Sequence, residues 1–162
     1  MLIISSEAHV SPLADIEDSQ RGSRIEIGVG CQIDSFVKIK PVGGSGDVVI
    51  GEQSYINSGT VIYSGNGVRI GDHVLIAANC TLAPINHEFR DRRKLIVEQR
   101  FMPSRGGIII EDDVWIGANC VILDGAIIRQ GCVVAAGSVV RGELPAYGVY
   151  AGSPAVQLRT RT

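Results

Sequence analysis

Aliphatic residues recur at every sixth position along most of the chain. Ile4, Val10 and Ile16 are in phase, as are Ile27, Ile33 and Ile39, then Ile50, Ile56 and Ile62, then Ile70, Ile76 and Leu82. Ile110, Ile116 and Ile122 follow, and Ile128, Val134 and Val140 continue without a break. All of these positions are aliphatic in a chain that is 45% hydrophobic, so composition alone does not produce the period. The phase breaks at 16–27, 39–50, 62–70 and 82–110, each time after a third hexapeptide. A solenoid with three short strands per coil accounts for this: each coil takes three hexapeptides, and insertions enter at one corner only. Strand alternation turns the aliphatic residue inward and its neighbours outward. The pattern predicts one all-β domain over 1–162, with about six coils over 4–142. A long loop is expected at about 83–109 and a short C-terminal segment at about 143–162. At about 4.8 Å per coil the core is on the order of 25–30 Å long.

Composition sharpens this picture. The chain has 21 Ile and 18 Val against 8 Leu, with 20 Gly and only 5% aromatic residues. β-branched side chains and turn glycines favour strands over a helical bundle. The fourth residue after each inward aliphatic is usually small, and Cys31, Cys80, Cys120 and Cys132 all occupy that slot. They read as buried small hydrophobes in a reducing compartment, not as metal ligands. A net charge of −2 gives no general pull toward nucleic acid or anionic membrane. No apolar run reaches the roughly 20 residues that span a bilayer. The first residues lack the basic stretch of a signal peptide, so a cytoplasmic location is expected.

The residues preceding the inward positions are polar in early coils (His9, Asp15, Gln32, Lys38) and mostly apolar in late ones (Trp115, Val121, Ile127, Val133, Val139). Such a strip, if continuous and exposed, marks an interface between copies. The long insertion carries Arg90, Arg92, Arg93, Lys94, Arg100 and Arg105, six of the fifteen cationic residues. It is either a solvated arm or a clamp for anionic groups such as coenzyme A phosphates or a nucleotide-linked sugar. Of the three histidines, His73 reads as a solvated turn residue and His9 as an outward surface residue. His87 closes a coil and opens the loop, which suits a general base.

With this repeat, the stretch Ile110-Glu-Asp-Asp-Val-Trp-Ile-Gly-Ala-Asn119, and the segments Val134–Val140 and Ala151–Ala155, the chain resembles the hexapeptide-repeat acetyltransferases. The resemblance covers nearly the whole chain and implies a left-handed parallel β-helix, the hand coming from the family alone. The chain is most similar to the sugar O-acetyltransferases, including galactoside and maltose acetyltransferases and enzymes of surface-polysaccharide synthesis. Members place a catalytic His five residues after the last inward aliphatic before the long loop, which is His87 after Leu82 here. Their usual His-Pro is His87-Glu88 in this chain. The Tyr-x-Asn that lines the acceptor site in galactoside enzymes corresponds to Tyr55-Ile56-Asn57. Acetyl-CoA is the implied donor, with contacts at Ala118, Ala136, Arg141 and Arg159 and with Trp115 flanking the groove. No metal is implied, and the implied assembly is a homotrimer with sites between subunits.

Together these imply direct acetyl transfer to a hydroxyl of a sugar, nucleotide sugar or glycan precursor. An amino-sugar N-acetyltransferase or an antibiotic acetyltransferase stays open, because acceptor contacts sit in loops. A non-catalytic solenoid would show no coenzyme A binding. A zinc hydrase of the carbonic anhydrase kind needs three neutral histidine ligands, for which the chain has no paired spacing.

Overall fold

The computed structural model describes residues 1–162, which wind as a left-handed parallel β-helix of three sheets. The first sheet contains Leu2–Ile4, Ile25–Ile27, Val48–Ile50, Val68–Ile70, Ile108–Ile110, Ile127–Ile128 and Glu143–Leu144, in that spatial order. The second contains His9–Val10, Gln32–Ile33, Tyr55–Ile56, Leu75–Ile76, Trp115–Ile116, Val133–Val134 and Gly148–Gly152, closed by the antiparallel strand Ala155–Thr160. The third contains Asp15–Ile16, Lys38–Lys40, Val61–Tyr63, Thr81–Ala83, Val121–Leu123 and Val139–Val140. The C-terminal segment is therefore two sides of a seventh coil plus a hairpin return. Its inward residues, Leu144 and Tyr150, are 5% and 3% exposed. Tyr150 reaches a carbonyl by donating its hydroxyl to Pro145 O at 2.8 Å.

Inward residues stack in register, Ile27 on Ile50, Ile50 on Ile70, Ile70 on Ile110 and Ile110 on Ile128. From Ile27 onward, every periodic position is at most 3% exposed. The remaining three, Ile4, Val10 and Ile16, belong to the first coil, which has a neighbour on one side only. Coils approach so closely that a Cβ on Gly28 would lie 2.4 Å from the carbonyl oxygen of Gly51. The corner cysteines satisfy their thiols on the next coil: Cys80 and Cys120 donate to Gly117 O and Ala135 O, both at 3.2 Å. Burial pushes the Cys31 and Cys132 thiols above their ordinary pKa.

The expected apolar strip needs correction. Val121 and Val139 lie on the third sheet, Ile127 on the first and Val133 on the second, all half-buried. Consecutive hexapeptides turn to the next face of the prism, so they cannot line up along its axis. An exposed apolar row instead runs along the second sheet through Tyr55, Leu75 and Trp115, which are 40%, 45% and 53% exposed.

The long insertion is an ordered arm. Entering it, Ile85 lies over two glycines; a Cβ on Gly43 would meet Ile85 Cδ1 at 2.8 Å. Its neck is an antiparallel ribbon in which Met102 N donates to Asn86 O (2.9 Å) and Glu88 N to Arg100 O (3.0 Å), flanking the His87–Phe101 pair. Near the tip is a single helical turn, Ile96–Gln99, and Gln99 clamps Asp91 through its amide in both directions (3.0 Å each). Leaving the arm, the chain is pinned by Asp124, which is 3% exposed. Asp124 accepts hydrogen bonds from Arg105 N (2.9 Å), Gly107 N (2.9 Å) and Asn66 Nδ2 (3.2 Å).

Position along the prism sets the cost of a truncation. Ile122→Ala, mid-prism and fully buried, should cost about 2–5 kcal/mol in urea unfolding, whereas Ile4→Ala at the open end should cost well below that. Asp124→Ala leaves two backbone donors and an amide without their acceptor. It should lower stability by about 2–4 kcal/mol and raise amide exchange at Arg105 and Gly107 before the sheets are affected.

Candidate active site

His87 is held at the arm's neck by backbone pairing with Phe101, and its ring packs on the Phe101 ring (centroids 4.9 Å apart, tilted 43°). The imidazole remains exposed. It opens on a cleft of about 410 Å³ whose apolar lining is Phe89, Met102 and Leu123 and whose polar lining is Asn86, Arg105, Asp124 and Arg141. The departure from His-Pro has a structural counterpart, because Glu88 uses the N–H that proline lacks to bond Arg100 O. Its carboxylate also accepts from Phe89 N (2.9 Å) and Arg90 N (3.0 Å) and pairs with the Arg90 guanidinium. The Arg90 contact holds the Glu88 carboxyl down to about 2, so it is an anion throughout the neutral range. Arg93 is likewise paired with Asp91 at 3.0 Å, so part of the arm's positive charge serves the arm itself.

Arg141 lies in the His87 cleft, following the last strand of the third sheet. It is therefore apart from Ala118 and Ala136, with which the family resemblance grouped it. Those two alanines sit in stacked turns between the second and third sheets, where Gly137 N donates to Ala118 O at 2.8 Å.

Tyr55 and Asn57 line a different cleft, of about 350 Å³, together with His9, Gln32 and Asp34. Asn57 donates its amide to Ile76 O at 2.7 Å, tying it to the next coil. Register puts Tyr55, Leu75, Trp115, Val133, Val149 and Arg159 in one row across the second sheet. The candidate residues thus fall into two groups. His87 and Arg141 stand where the third sheet ends. Tyr55, Asn57, Trp115, Ala118, Ala136 and Arg159 occupy the second sheet and the turns that leave it. Within one chain the third sheet separates them.

Sequence reasoning missed Asp124 and the neighbourhood of Arg105 and Arg141. Both depend on how the arm folds back, and the six-residue period carries no signal for that. Asp124 stands two positions after inward Ile122, where other coils carry Ser64 or Pro84, and a carboxylate there has to find donors.

Comparison with known proteins agrees with this architecture. The family described as "Bacterial transferase hexapeptide (six repeats)" matches residues 107–142, and "Hexapeptide repeat of succinyl-transferase" matches 47–84. An Escherichia coli protein assigned as an O-acetyl transferase of lipopolysaccharide biosynthesis is 32% identical over 139 residues, covering 83% of this chain and 67% of that one. The galactoside O-acetyltransferase of E. coli is 37% identical over 117 residues, 70% of this chain and 54% of that one. The chain spans only 45% of the length of a Mycobacterium tuberculosis relative, to which it is 33% identical. A Vibrio cholerae hexapeptide-repeat acetyltransferase, solved with acetyl-coenzyme A, superposes with a TM-score of 0.75 at 32% identity, covering 85% of this chain and 71% of that one. With the repeat, the three-sheet prism and these relatives in agreement, the chain belongs to the hexapeptide-repeat acetyltransferase family.

Proposed function

We propose that the protein transfers an acetyl group from acetyl-CoA to a hydroxyl of a sugar or glycan precursor, with His87 as general base. The observation that carries this is His87 itself: an exposed imidazole on a pinned ribbon, facing a cleft with room for a sugar ring. Relatives named for O-acetylation of lipopolysaccharide and galactosides support the hydroxyl acceptor. The imidazole accepts the hydroxyl proton as the oxygen attacks the thioester carbonyl. The tetrahedral intermediate then collapses, the carbon–sulfur bond breaks, and the imidazolium returns the proton to the leaving thiolate. No covalent enzyme intermediate is required.

Donor and acceptor contacts at Ala118, Ala136, Trp115, Arg159, Tyr55 and Asn57 reach His87 when the second-sheet side of one copy faces the arm of the next. Head-to-tail contacts of this kind close into a ring, and the family resemblance implies a ring of three, a homotrimer. The exposed row Tyr55, Leu75 and Trp115, together with Leu95, Ile96 and Val97 at 67%, 57% and 80% exposure on the arm, supplies apolar surface for that contact. Acetyl-CoA as donor and four unpaired cysteines fit a cytoplasmic location.

His87→Ala should lower kcat by at least about 10²-fold while acetyl-CoA affinity by calorimetry stays nearly unchanged. Full turnover in that variant would remove His87 as the base. Sedimentation equilibrium should return about three times 17.2 kDa. Leu75→Asp should shift that toward the single chain, and a wild-type monomer at micromolar concentration would rule the trimer out.

A further inference from the structure

The cleft lined by His87 is also lined by two arginines, Arg105 and Arg141. Neither is engaged by a carboxylate. Five of the chain's twelve arginines do have carboxylate partners: Arg24 with Glu26 and Asp47, Arg90 with Glu88, Arg93 with Asp91, Arg129 with Glu111 and Glu143, and Arg161 with Asp113. The one acid in the cleft, Asp124, has Oδ1 on Gly107 N and Oδ2 on Arg105 N and Asn66 Nδ2. It therefore fixes the backbone of Arg105 and leaves the guanidinium free. The Arg105 stem is seated as well. It runs over Gly125, where a Cβ would lie 2.9 Å from Arg105 Cβ and 3.7 Å from Cδ. Any side chain at 125 would displace it.

We propose that the acceptor is an anionic saccharide, and that Arg105 and Arg141 grip its carboxylate or phosphate beside the hydroxyl that is acetylated. This rests on His87 as the general base. If the thioester carbonyl must reach His87, the phosphates of coenzyme A cannot also lie in the same cleft of about 410 Å³, because the whole pantetheine arm separates them from the thioester. With the donor's phosphates outside the cleft, the anion within reach of Arg141 is the acceptor's. Planar guanidinium forks match a two-oxygen or three-oxygen anion, and a charge-assisted bond is about twice as strong as a neutral one. The apolar side chains Phe89, Met102 and Leu123 offer a sugar-ring face somewhere to rest while the anion is held.

The test uses the full chain with acetyl-CoA and matched acceptors: glucose and galactose, their uronic acids, and their 1-phosphates. Wild type should favour the anionic forms by at least about tenfold in kcat/KM over the neutral sugar. The uronic acid and phosphate arms tell which oxyanion is preferred. Arg105→Gln and Arg141→Gln should each raise the KM for the anionic acceptor about tenfold or more, with kcat within a few fold and the KM for acetyl-CoA unchanged. Arg141→Lys should recover part of the loss, and circular dichroism melts should match wild type. Calorimetric titration of the anionic sugars in the absence of donor gives the same comparison without turnover. Equal handling of neutral and anionic forms would overturn the proposal. So would arginine variants that raise the KM for acetyl-CoA and leave the acceptor untouched. Because His87→Ala is read in kcat and the arginine variants in acceptor KM, failure of the base and failure of the anion site are separable.

Discussion

Each inward aliphatic side chain stacks on the one a coil earlier, as Ile27, Ile50, Ile70, Ile110 and Ile128 do along the first sheet. The prism is one such side chain deep from each face, so its cross-section has to stay constant from coil to coil. An extra residue within a side would turn an inward aliphatic outward and break that strand's pairing with the coils on both sides of it. Surplus chain can leave only at a corner. The glycines that follow inward residues obey the same limit, since a Cβ on Gly28 would strike the carbonyl of the coil above. Function has therefore been added at the edge of a scaffold that cannot itself be altered.

The corner after the third sheet is that edge. Arm entry, arm exit and the end of the last third-sheet strand meet there, which is why His87, Arg105 and Arg141 share a cleft although they are remote from one another in sequence. Stacking brings such distant positions together, and it does so rigidly. The arm then contributes what the sheets cannot: side chains that stand off the prism wall at a fixed height, held by Asp124 at one root and Ile85 at the other. General-base chemistry needs this kind of placement, because the acceptor oxygen has to lie within hydrogen-bond reach.

Most of the prism was legible in the sequence because its physics is periodic. The in-phase residues are buried except for those of the end coil, whose exposure follows from having one neighbour. The seventh coil is hidden from the period because its inward residues, Leu144 and Tyr150, follow Val140 out of phase, and one of them is aromatic. The expected apolar strip fails because neighbours along the axis are a whole coil apart in sequence: Val121 stands beside Thr81 and Val139, never beside Ile127. That His87 closes a coil and opens the arm was legible from where the period breaks after Leu82. Its surroundings were not, since the Asp124–Arg105 bond closes a fold-back that has no period.

The arm also enters the entropy of folding. On the first sheet, Val68 and its ladder partner Ile108 are twice as far apart in sequence as Val48 and Val68, because the arm intervenes. Closing a loop twice as long costs only about 0.6 kcal/mol more. Stability in a stacked repeat is set by nearest-neighbour interfaces, and those on either side of the arm are the same aliphatic ladders as everywhere else. Lineages carrying this scaffold are thus free to lengthen, shorten or exchange the arm at almost no thermodynamic cost, provided its two roots are kept. Acceptor chemistry can diversify there while the sequence of the prism stands still.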